Sequence, residues 1–76
     1  MDYTKMTDLE VMVAWNEAEP FTQEGIKAAA EHGRRCETDK NYHKIDSLCY
    51  DRWQENGGHI TSEEIRTIYN TFHNED

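Results

Sequence analysis

Two four-residue stretches, Thr7–Glu10 (TDLE) and Thr61–Glu64 (TSEE), restrict this chain more than any other feature. In each, the threonine hydroxyl can accept the backbone N–H three residues on, and the glutamate can reach back to the threonine N–H. That pairing satisfies donors that the first turn of a helix leaves open, so each stretch reads as a helix start. Thr22 and Asp39 supply two further caps, and Phe21 is placed to staple onto Ile26. The stops agree with the starts. Pro20 turns the residue before it away from helical geometry. Gly33 weakens the end of the second helix, and Gly57 with Gly58 can take the left-handed conformation that closes a third. The expectation is four helices, near 7–18, 22–35, 39–56 and 61–73.

Apolar spacing supports the same division. Ile65, Ile68, Tyr69 and Phe72 recur at helical period on the last helix. Tyr42, Ile45, Leu48, Cys49 and Trp53 do so on the third. Ala28, Ala29, Ala30 and Gly33 give the second a small-sided surface. The first is apolar nearly all round, from Leu9 through Val11, Met12, Val13 and Ala14 to Trp15. Such a helix is central, or it turns part of its surface to a partner; a short strand at VMVAW is the lesser alternative. Seventy-six residues make one domain with a thin core. The fold class is therefore all-α: residues 1–76 as a small single domain of about four short helices in two helix-turn-helix hairpins.

Charge narrows function. The net charge is −8, unevenly spread. Residues 1–26 carry six acids and one lysine, residues 27–52 carry five acids and six bases, and residues 53–76 carry five acids and one arginine. Nucleic-acid binding draws on a basic stripe that displaces counterions, and Arg34-Arg35 is the one adjacent basic pair. PFTQEGIKAAAEHG resembles the opening of a DNA-reading helix-turn-helix, yet its flanks would turn negative charge towards phosphate. The longest apolar run, Val11–Trp15, is far below the ~20 residues that span a bilayer. Neither direct nucleic-acid binding nor membrane insertion is expected. Met1 and the absence of a signal peptide give the expectation of a complete cytoplasmic reading frame with two free thiols.

Residues 20–27 (PFTQEGIK) align with residues 59–66 (HITSEEIR) at an offset of 39. Around the second copy, ENGGHITSEEI resembles the calcium loop of the EF-hand, a paired helix-loop-helix. The resemblance implies Glu55 at the loop's third position, Gly58 at the sixth, Ile60 at the eighth and Glu64 at the twelfth. It also puts Trp53 at the first position and Gly57 at the fifth, where neither supplies an oxygen. In the earlier copy Ala14 and Gly25 fall at the first and twelfth. Calcium takes six to eight oxygens, so the resemblance implies a degenerate, calcium-dead pair. On the residues alone, the stretch is a helix C-cap, a tight turn and a capping box.

His32, Cys36, His43 and Cys49 are the candidate zinc ligands, without the tight Cys-x-x-Cys knuckle common at structural sites. No phosphate loop is present, and Glu63-Glu64 fits a helix N-terminus better than acid–base work. No enzyme activity and no cofactor are expected. What remains is a small acidic protein-interaction module of the kind carried by phages and mobile elements, inhibiting or adapting a larger partner with a basic surface. One version is a nucleic-acid mimic. The candidate partner-binding residues are Glu10, Trp15, Glu17, Glu19, Glu24, Glu55, Glu63 and Glu64, with a homodimer left open. The alternative is a small zinc-binding regulator using the His/Cys cluster.

Overall fold

A computed structural model describes residues 2–74. A short 3-10 turn, Tyr3–Lys5, precedes four α-helices: α1 (Asp8–Glu17), α2 (Gln23–Thr38), α3 (Lys40–Glu55) and α4 (Ser62–Asn74). Among the described residues there is no strand, and VMVAW lies within α1. The helices form a closed ring of neighbours, α1 against α2 and α4, and α3 against the same two.

The caps form as the sequence predicts. Thr7 Oγ1 accepts from the Glu10 N–H at 3.2 Å, and Glu10 returns the bond to the Thr7 N–H at 2.9 Å. Thr61 and Glu64 repeat this at 3.1 and 3.2 Å. Thr22 accepts from the Gly25 N–H, the position equivalent to Glu64 in the repeat. The two copies share that cap but not their packing, since Ile65 is buried and its counterpart Ile26 is exposed. α3 ends in a Schellman closure: the Gly58 N–H reaches Trp53 O and the Gly57 N–H reaches Gln54 O, with Gly57 at φ 80°.

Two expectations fail. α2 does not end near Gly33; it runs on to Thr38. Gly33 faces open space, while Glu31, His32 and Arg35 around it are buried, and their anchoring outweighs the ~1 kcal/mol a glycine costs a helix. The Phe21–Ile26 staple is absent. Phe21 adopts φ 67° and is 95% exposed, turned outward by the tight α1–α2 connection. That connection depends on Gly25, where a Cβ would meet Glu19 O at 2.3 Å.

The core is small. Val11 and Met12 of α1, Tyr42 and Ile45 of α3, and Ile65 of α4 form its buried centre. Ile68, Tyr69 and Phe72 pack around it half-buried. Leu48 and Trp53, at core spacing in the sequence, are exposed on two different sides of α3, Trp53 towards α1 and Leu48 beside Ile68 and Phe72 of α4.

A buried arginine ties the N-terminal segment to the bundle. The Arg35 guanidinium donates to Glu31 at 2.5 Å, to Asp8 at 2.7 Å, and to the carbonyls of Tyr3 and Met6 at 3.2 and 2.8 Å. Arg34 forms a two-pronged pair with the same Glu31. These bonds hold the Glu31 carboxyl at about 2, well below its ordinary 4.5. The one adjacent basic pair is therefore engaged within the fold, and Arg35 cannot reach a phosphate.

Candidate functional site

α2 and α3 are joined by one residue. Asp39 closes α2 through its N–H to Arg35 O, and opens α3 by accepting from the N–H groups of Asn41 and Tyr42. This hairpin sets His32 of α2 against Tyr42 and Asp46 of α3. His32 Nδ1 lies 2.8 Å from the Tyr42 hydroxyl. His32 Nε2 lies 3.2 Å from Asp46 Oδ1 and 3.7 Å from Cys36 Sγ, one helical turn further along α2. Trp15 of α1 stacks on the imidazole, with ring centroids 4.2 Å apart and planes 4° from parallel.

The surroundings set the chemistry of the cluster. The hydrogen bond from His32 holds the Asp46 carboxyl below its ordinary range against the opposing effect of burial. Burial pushes the Cys36 thiol up to about 11, with the Asp46 charge adding to the shift. Cys49 is likewise raised to about 11 by burial and by Asp46. Burial also raises Tyr42. A thiol at about 11 is protonated at neutral pH and is a poor nucleophile. Asp46 and Cys36 also meet the same ring nitrogen. The imidazole therefore cannot link thiol and carboxylate through opposite nitrogens, as a nucleophilic triad does.

Above the cluster lies a cleft of about 400 Å³. Met12, Trp15 and Asn16 of α1 form one wall, and Cys49, Tyr50 and Trp53 of α3 form the other. His32 and Asp46 lie at the α2–α3 side, and Ile60 with Ile65 closes the end. The rim is aromatic and open: Trp15 is 44% exposed, Trp53 41% and Tyr50 56%. Tyr50 and Trp53 stack on each other at 5.7 Å.

Of the sequence-predicted partner-binding residues, Trp15 alone lines this cleft. Glu17 lies outside it, on the face of α1 that carries Leu9 and Val13, with Arg66 of α4 beside it, and accepts from Ser62 Oγ at 2.8 Å. Glu10 and Glu64 are engaged in capping boxes, and Glu64 also accepts from Asn56 at 3.0 Å. Glu24 accepts from the Tyr3 hydroxyl at 2.7 Å, and Glu55 lies 3.5 Å from Arg52. Glu19 and Glu63 are exposed. Of the predicted zinc set, His32 and Cys36 come together. His43 is exposed, and Cys49 is half-buried on the cleft wall. Asp46, which joins His32 and Cys36 instead, was missed by spacing because it lies across the hairpin; His32 and Asp46 each lie seven residues from Asp39, and reading them as facing positions about that joint would have pointed to it. Comparison of the chain with family profiles, with curated proteins and with solved structures finds no match.

Proposed function

We propose that the domain is a non-enzymatic protein-interaction module whose aromatic cleft takes an amphipathic, basic segment of a larger protein. One observation carries the reading: Trp15, Tyr50 and Trp53 line a single cleft and are left uncovered by the domain's own thin core. Exposed aromatics around a concave surface are the usual anchors of a protein interface. The chain's charge of −8 favours a basic occupant, and Asp46 sets a carboxylate among the cleft-lining residues. Filling the cleft would mask a basic segment of the partner, which fits an inhibitor or adaptor. The cleft, rather than an array of carboxylates mimicking phosphates, carries the reading, because Glu10, Glu24 and Glu64 are already held in local hydrogen bonds.

The protein contains two tryptophans, and both line the cleft. Intrinsic fluorescence therefore reports directly on its occupant. The test is capture from host lysate on wild-type protein and on Trp15→Ala and Trp53→Ala, followed by titration of the captured partner's basic segments as synthetic peptides. The expected result is a segment that shifts tryptophan emission, binds less tightly as salt rises, and is lost with either substitution. Capture unaffected by both substitutions and by salt would overturn the reading.

A further inference from the structure

We propose that His32 Nε2, Cys36 Sγ and Asp46 Oδ1 are three ligands of a zinc site whose fourth position faces the cleft. The three atoms all lie within 4.8 Å of one another and converge on one point between α2 and α3. Their spacing matches the ion. With Zn–N near ~2.0 Å, Zn–S near ~2.3 Å and Zn–O near ~2.1 Å, tetrahedral angles put N and S about 3.5 Å apart and N and O about 3.3 Å apart. The structure has 3.7 and 3.2 Å.

The support around these atoms is that of a metal site. A ligating imidazole is normally oriented by a partner on its other nitrogen. Here that partner is the Tyr42 hydroxyl, fully buried and 2.8 Å from Nδ1. With Nε2 on the ion, Nδ1 carries the ring proton and donates it to Tyr42. Trp15, lying flat on the ring, fixes its plane. Binding releases the Cys36 thiol proton to solvent, so affinity rises with pH. A mixed nitrogen, sulfur and carboxylate set suits zinc and not calcium or magnesium, which take oxygen. The set differs from the one spacing predicts, as Asp46 replaces His43 and Cys49. It is also independent of what fills the cleft above.

The test uses untagged full-length protein with zinc alone, then cobalt as a spectroscopic substitute. Native mass spectrometry should show one zinc per chain at equimolar metal. Cobalt should give the intense visible bands of a tetrahedral ion and a thiolate charge-transfer band. Cys36→Ser should abolish that band, and Asp46→Asn should weaken binding beyond the roughly 10–100-fold that loss of an outer-shell partner costs. Tyr42→Phe should fall within that roughly 10–100-fold range. His43→Ala and Cys49→Ser should leave the spectrum unchanged, with circular dichroism reporting the fold of each variant. The proposal is overturned if wild-type protein retains no zinc. It is equally overturned if Cys36→Ser and Asp46→Asn bind as wild type does, or if Cys49→Ser alone removes the charge-transfer band.

Discussion

The Trp15 indole lies flat on the His32 imidazole, 4.2 Å between ring centroids and 4° between planes. This contact joins α1 to α2 at the cleft, so one side chain serves both the wall of the cleft and the packing of the ring below it. Trp15→Leu keeps apolar bulk but removes the stack. We expect it to lower stability by about 1 kcal/mol, the scale of an aromatic pair beyond its buried area. Urea denaturation followed by far-ultraviolet circular dichroism measures this; an unchanged midpoint would show that the stack contributes nothing.

Arg35 carries a larger share. Arg35→Leu strands Glu31 and Asp8 and leaves the carbonyls of Tyr3 and Met6 without their donor. Removing one partner of a buried ion pair costs about 3–5 kcal/mol, enough to unfold much of a small domain. Arg35→Lys should recover only part of the loss, since an ammonium cannot serve those acceptors as a planar fork. Thermal melts of the two variants should therefore rank wild type above lysine and lysine above leucine.

The same network gives the acid limb of stability its shape. Glu31 titrates at about 2 in the folded protein against 4.5 ordinarily. As pH falls below 4.5 the unfolded chain takes up this proton while the folded chain does not. The contribution of Glu31 is thus fully present above 4.5 and is lost progressively as pH falls towards 2. Denaturant midpoints measured down through that window should drop for wild type. They should drop less for Glu31→Gln, which starts lower and has no such proton to gain.

Two glycines should respond in opposite directions. Gly33 lies inside α2 facing open space, so Gly33→Ala should stabilise by roughly 0.5–1 kcal/mol. Gly57 sits at φ 80° at the end of α3, where a side chain is strained. Gly57→Ala should cost about 1 kcal/mol. Equilibrium unfolding of both variants separates these signs.

Charge should govern how fast a partner arrives. Glu17, Glu19 and Glu63 are exposed, and none uses its carboxylate in a helix cap. Reversing all three to lysine should slow association with the captured basic segment by on the order of 10-fold at low salt, and change dissociation little. The difference should shrink at ~1 M salt, where the Debye length is ~3 Å. Stopped-flow tryptophan fluorescence gives both rates. Equal association rates for the two proteins would show these acids to be an ordinary solvated surface.

The helix starts were legible in the sequence because capping is local: a hydroxyl and a carboxylate three residues apart meet whatever the rest of the chain does. Thr7, Thr22, Asp39 and Thr61 all cap where their neighbours imply. Gly33 misled because a weak local preference lost to burial of the residues around it. Glu31, His32 and Arg35 were invisible as core because polarity marks a residue as exposed until its partners are placed. Glu31 and Arg35, four residues apart, carried the one available hint. The cluster was half legible: His32 and Cys36 share a helix face, while Asp46 needed the register across the hairpin. The cleft was not legible, because Leu48, Trp53 and Ile45 share a helical period that does not say which of them the bundle leaves uncovered.

The single-residue joint at Asp39 makes the α2–α3 register a matter of counting. Adding one residue there would rotate everything after it by about 100° about the α3 axis and advance it by about 1.5 Å. Asp46 would swing away from His32, and Tyr42 would leave the core together with its bond to the imidazole. A lineage carrying this cluster can lengthen its chain between α3 and α4, where residues 56–61 separate the helices, but has no such latitude at position 39. Chain length at that joint is therefore as much a part of the site as the side chains themselves.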